Sequence, residues 1–135
     1  MRQDFPGRSG PFWDFVAGRS AAPPAARTLG WELVSVDPGA GRIKVRFTAG
    51  EDFLNPWGNV QGGFLAAMLD DTLGPALVAT LGPEESAPTL ELKVNYLRRV
   101  VHRTGSIGLL AGELTDQAGV ALATATATAR ILRPR

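Results

Sequence analysis

The 135-residue chain contains no cysteine. That excludes disulfides, thiolate nucleophiles and cysteine metal sites, and it agrees with a reducing cytoplasm, where the protein is expected to work. A single histidine, His102, leaves no multi-histidine metal site within one chain, so neither a metal nor a cofactor is expected. An excess of charge of either sign is missing as well. Fourteen Lys and Arg stand against 13 Asp and Glu, a net charge of +1, and nothing points to nucleic acid as a partner. The longest purely apolar run, 64–69, is far short of the roughly 20 residues of a membrane span. Residues 1–10 carry two arginines with no apolar stretch behind them and do not read as a signal peptide. There is no Gly-x-Ser-x-Gly elbow and no Gly-x-x-x-x-Gly-Lys-[Ser/Thr] phosphate loop.

What is present is enough apolar sequence for one globular core: 44% hydrophobic and 20% charged residues are ordinary values for a single domain of this length. Residues 1–25 are rich in Gly, Pro, Arg and Ala and read as a short helix and linker ahead of a domain at 26–135. Pro11 heads a short helix whose Phe12, Trp13 and Phe15 are too many aromatics to leave in water; it is expected to dock on the core, and to cap a ligand pocket if one lies near. Gly18 ends it and 21–24 is a linker. Apolar–polar alternation predicts strands over 28–36 and 42–48, joined by the turn residues Asp37-Pro-Gly-Ala-Gly41 into a hairpin. A helix is expected from Gly62 to about Leu81, with a kink near Gly74 or an early end, because Pro75 removes one backbone hydrogen bond and crowds the preceding turn. Strands follow over 89–96, with Leu90, Leu92 and Val94 on one face, then over 105–114 and 120–132. In the last, alternate residues from Ala121 to Ala129 are alanine, a face that lets the apolar helix approach closely. The order describes an α+β fold, an antiparallel β-sheet wrapped around a long central α-helix. Its uncovered sheet face and unpaired edges imply a homo-oligomer.

The chemistry concentrates at Asn55-Pro-Trp-Gly-Asn-Val-Gln-Gly-Gly, followed by an apolar helix carrying Asp70 and Asp71. With nucleophilic thiols and clustered imidazoles gone, carboxylate chemistry beside a helix N-terminus remains. Gly62 and Gly63 carry no side chain to keep a ligand from the unpaired backbone N–H groups, which suit an oxyanion. Asp70 lies eight residues after Gly62, roughly 12 Å along a helix axis. One chain's carboxylate is therefore too far from its own helix start. Two antiparallel copies would bring Asp70 of one to Gly62 of the other. Spacing alone leaves open whether Asp70 or Asp71 acts. It also leaves open whether an apolar surrounding raises the Asp70 pKa more than a partner helix lowers it. Phe53 and Trp57 either line a ligand pocket or anchor the loop.

The series Asn55-x-x-Gly58-x-Val60-Gln61-Gly62-Gly63, then Asp70, then Thr89 and Asn95-Tyr96-Leu97 resembles the PaaI-type acyl-CoA thioesterases of the hotdog fold over about residues 28–132. The resemblance implies hydrolysis of an aliphatic or aryl acyl-CoA to the acid and CoA, in a dimer or a tetramer built as a dimer of dimers. It implies Asp70 as nucleophile or general base, Gly62 as the N–H that polarises the carbonyl, Asn55 as orienting group, and Thr89 as the hydroxyl beside the carboxylate. Gln61 and Gly63 would meet substrate. Gln61 stands where better-known members carry histidine, which keeps hydrogen bonding and removes titration. Asp71 is an additional acid, read as a supporting or interface group. Arg98, Arg99 and Arg103 suit the phosphates of CoA or form a solvated basic turn; His102 has no role in the family. Two alternatives remain. One is a non-catalytic acyl-CoA-sensing module, against which stand Asp70 and the lack of a fused DNA-binding segment. The other is a hydratase, which would need a histidine near the helix.

Overall fold

An α-helix that is apolar almost all round must be surrounded by other elements. In the computed structural model of the chain, which describes residues 5–96, 107–115 and 118–133, this helix is α3, Gly62–Val78. Two short helices precede it, α1 (Pro11–Val16) and α2 (Pro24–Leu29), together with the strands β1 (Glu32–Asp37) and β2 (Arg42–Arg46). After it come β3 (Thr89–Asn95), β4 (Ile107–Thr115) and β5 (Ala121–Arg130). β1 and β2 form the expected antiparallel hairpin, closed by the Ala40 N–H donating to Asp37 Oδ1 at 3.0 Å. β3, β5 and β4 form a second antiparallel sheet in that spatial order. Among the described residues no ladder joins the two sheets, and strands of both pack on α3.

The alanine face of β5 does what its small side chains allow. Ala123, Ala125, Ala127 and Ala129 are all buried, and α3 sets Leu69, Leu73 and Leu77 against them. Burying each leucine contributes about 1.5–3 kcal/mol. Gly112 of β4 is part of the same close approach, since a methyl group there would lie 3.2 Å from Leu73 Cδ2. A second cluster gathers Leu29, Phe53 and Met68 near the start of α3.

Four expectations are revised. First, residues 24–29 form α2 where the alternation predicted that a strand begins at 28. Pro24 occupies the favoured first turn and Gly30 takes the left-handed conformation (φ 64°) that ends the helix. Second, α3 runs through Gly74-Pro75 and stops at Val78, three residues short of Leu81. Pro75 has no N–H for the carbonyl of Asp71, four residues back. The Trp31 indole N–H donates to that carbonyl instead, at 2.8 Å, so the acceptor freed by the proline keeps a partner as the helix continues past it.

Third, Leu90 is 61% exposed. The β3–β5 register pairs Thr89 with Ala129 and Glu91 with Thr128, so Leu90 is an extra residue in a bulge. The bulge turns Leu90 outward and puts Thr89 on the face of buried Ala129, toward α3. Fourth, α1 docks beside the C-terminal end of α3, away from the glycines. Its Trp13 is buried, lies under the Arg8 guanidinium, and borders a cleft shared with Val78 and Leu81. Arg8 also donates to the Ala79 carbonyl at 3.4 Å, a cation placed at the negative end of the helix.

Candidate active site

The loop before α3 is shaped by hydrogen bonds among its own residues. Leu54 and Val60 form an antiparallel bridge, and the Asn55 N–H donates to the Asn59 carbonyl at 2.7 Å. Asn55 Oδ1 accepts the N–H groups of Trp57 (3.0 Å) and Asn59 (3.1 Å). The side-chain oxygen of Asn55 is thus engaged in shaping the loop, while its amide NH2 makes no hydrogen bond among the described residues. Phe53 is buried and stacks on Phe64 with ring centroids 4.0 Å apart; it anchors the loop. Trp57, at the tip, is 83% exposed.

Gln61 is the last residue before α3. Its carbonyl accepts the Phe64 N–H at 3.0 Å, while its side chain makes no capping bond. The N–H groups of Gly62 and Gly63 have no partner among the described residues, as geometry requires for the first turn of a helix. The two glycines differ in their surroundings. A methyl group at 63 would meet nothing within 4 Å, whereas one at 62 would lie 2.5 Å from Tyr96 Oη.

Two turns along the helix, Thr89 Oγ1 donates to Asp70 Oδ1 at 3.0 Å. The β3 bulge makes this bond possible. Asp70 is half-buried, so one carboxylate oxygen is oriented by protein while the group stays in reach of water. Asp71 is half-buried too, and its Oδ2 is fully enclosed with no hydrogen-bond partner among the described residues. Desolvation, reinforced by the adjacent Asp70 charge, pushes the Asp71 pKa from 3.8 up to about 6. The two neighbouring carboxyls therefore differ in kind: among the described residues Asp70 has a donor, while Asp71 has an enclosed oxygen with none.

Within one chain the structure brings together Asn55, Gln61, Gly62 and Gly63 at the helix start, and Asp70, Asp71 and Thr89 farther along. It does not bring these two groups together; eight residues of continuous helix separate Gly62 from Asp70, roughly 12 Å. Arg98, Arg99, Arg103 and His102 lie outside the described residues. Two participants escaped the sequence reading. Tyr96, named there only as part of a motif, borders Gly62. Trp31, read there as a strand residue, holds the Asp71 carbonyl. Pro75, four residues after Asp71, was the available signal for the second, because it announces an acceptor in need of a donor.

No protein-family model matches the chain, and no curated protein sequence matches it. Solved structures do. A phenylacetic acid degradation-related protein of Ralstonia eutropha JMP134, whose name gives it provisionally as a thioesterase, is 37% identical and superposes with a TM-score of 0.81 over 88% of this chain and 98% of its own. A Bacillus halodurans protein solved with CoA is 25% identical, with a TM-score of 0.70 over 85% of this chain and 80% of its own. The PaaI protein from the phenylacetic acid degradation operon of E. coli, at 19% identity, shares the fold with a TM-score of 0.75 over 90% and 93% of the two chains.

Proposed function

This chain belongs to the PaaI-type thioesterases of the hotdog fold, and we propose that it hydrolyses an acyl-CoA, aliphatic or aryl, to the free acid and CoA. One observation carries the reading: a carboxylate held by a hydroxyl, Asp70 by Thr89 at 3.0 Å, on a buried helix whose start offers two unpaired N–H groups. The Bacillus halodurans relative solved with CoA supports a CoA thioester as the ligand.

In this reading the thioester carbonyl oxygen rests on the N–H of Gly62, with Gly63 leaving room for it. Negative charge that develops on that oxygen is stabilised by the helix start. Asp70 of a second copy approaches the carbonyl carbon. As general base it takes a proton from water while the water oxygen bonds to carbon; as nucleophile its own oxygen forms the bond and water later cleaves the anhydride. On either route the carbon–sulfur bond breaks, CoA leaves as the thiol after gaining a proton, and the acid is released. Thr89 holds Asp70 in position, and Asn55 fixes the loop that presents Gln61 and the glycines. Gln61 offers the thioester an amide in place of an imidazole. Asp71 supports the site from behind, and Arg98, Arg99 and Arg103 take the phosphates of CoA. The site is completed in a homodimer, or in a tetramer of two dimers, working in the cytoplasm without a cofactor. Among the described residues no helix is long and apolar enough to cross a membrane.

The test is thiol release from a panel of acyl-CoAs of differing chain length and aromaticity, with Asp70→Asn in parallel. Turnover by the wild type and a loss of about 10²-fold or more in Asp70→Asn are expected. Binding of acyl-CoA without turnover by the wild type would identify a sensing module instead. Full activity in Asp70→Asn with loss in Asp71→Asn would move the role to the neighbouring carboxyl.

A further inference from the structure

β3 runs back along the first half of α3 and reaches it at both functional ends. At its start Thr89 donates to Asp70. Just past its end, Tyr96 sets its phenolic oxygen against Gly62. A methyl group at position 62 would lie 2.5 Å from Tyr96 Oη, 2.9 Å from Cζ and 3.4 Å from Cε1. The space that the first glycine leaves is therefore already filled within the same chain, and it is filled by a hydroxyl. The space beside Gly63 is the open one.

The Tyr96 hydroxyl has no hydrogen-bond partner among the described residues, and the side chain is 54% exposed. A phenol enclosed by protein is usually given a partner. One left at the surface bonds water and can exchange that water for a ligand oxygen. A carbonyl oxygen resting on the Gly62 N–H would sit beside this hydroxyl, which can donate as well as accept.

We infer that Tyr96 is a further catalytic residue of the thioesterase site: its hydroxyl donates to the substrate carbonyl oxygen alongside the helix N–H. This rests on the thioesterase reading above. The phenol keeps its proton throughout. As the tetrahedral centre forms, the carbonyl oxygen gains charge and the hydrogen bond strengthens; when the carbon–sulfur bond breaks, the charge returns to the carbonyl. A donor aimed at charge that exists chiefly in the transition state raises kcat more than it lowers KM. Gly62 then has two tasks, presenting its own N–H and making room for the second donor.

Tyr96→Phe is the test, because it removes the hydroxyl and keeps the ring against Gly62. With the best acyl-CoA from the panel, kcat is expected to fall about tenfold with KM changed less than about twofold. The thermal midpoint should stay where it was. An S-alkyl-CoA thioether, which has no carbonyl oxygen, should bind wild type and variant equally. Unchanged kcat in an active protein overturns the role of Tyr96 and leaves the thioesterase reading standing. A fall in rate matched by a fall in thermal midpoint overturns it as well, since packing would then be the cause. A wild type that hydrolyses no thioester overturns the reading and this role together.

Discussion

The glycine end of α3 is assembled from neighbours in sequence. Residues 54–63 bridge and turn among themselves, with Asn55 accepting from residues two and four places on. The carboxylate end, two turns along the same helix, is assembled from a distance. Thr89 comes from 19 residues downstream of Asp70, and Trp31 from 40 residues upstream of Asp71. Local hydrogen bonds form as soon as the loop closes, whereas the distant ones exist only once both sheets are in place. The first end can therefore be altered by a change in the loop alone, and the second by changes in elements that carry no functional group. Tyr96 is the exception that links them, a distant residue at the local end.

The largest expected effect tests whether the two ends belong to one reaction. Asp70→Asn and Gly62→Val should each lower kcat by about 10²–10³. Co-expressed, the two variants should recover about a quarter of the wild-type rate, since half the dimers carry one intact pairing of Gly62 with the partner's Asp70. No recovery in verified mixed dimers would mean that the ends do not complete each other across the interface.

A smaller effect tests how the carboxylate end is held. Trp31→Phe leaves the Asp71 carbonyl without its donor and should destabilise the protein by about 1–3 kcal/mol in chemical denaturation. In a Pro75→Ala background the loss should be half of that or less, because residue 75 then supplies the missing N–H. Equal losses in the two backgrounds would refute the link between the proline and the indole.

The smallest effect concerns pH. Asp71 holds its proton up to about pH 6 in the folded chain and releases it near 3.8 when unfolded. Between those values the folded state binds more protons, so this group's contribution to stability declines as pH rises through the window. Asp71→Asn removes the buried charge. Its thermal midpoint should exceed that of the wild type by roughly 2–5 °C at pH 8 and match it at pH 3.5. A gain of the same size at both pH values would show that ionisation of Asp71 is not the cause.

Much of the fold is written in periodicities. The alternation of Ile43, Val45 and Phe47 marks β2, and all three are half-buried while Arg42, Lys44 and Arg46 are exposed. The alanines of β5 announce a close neighbour, and α3 is that neighbour. The same kind of reading failed at 28–31, where Leu29 and Trp31 fit an alternation and a helix end equally well. Pro24 and Gly30, a matched start and stop, were the better guide. It failed again at Leu90, because a bulge shifts side-chain direction without leaving a mark in composition. At the site, Asn55, Gln61, the two glycines and both aspartates are visible as a spaced series, whereas the contacts of Tyr96 and Trp31 are not.

What the sequence determined by itself is whatever depends on covalent spacing and on the pattern of apolar residues along one element. It sets the start and burial of the central helix, the hairpin, the alanine face, and the two-turn separation of Gly62 from Asp70. Tertiary structure decided what depends on the neighbour. The bulge that aims Thr89 at Asp70, the indole that takes the carbonyl freed by Pro75, and the phenol that fills the space beside Gly62 all follow from the register of one strand or the docking of one side chain. A periodic pattern specifies which face turns inward; it does not specify which atom of another element will be waiting there.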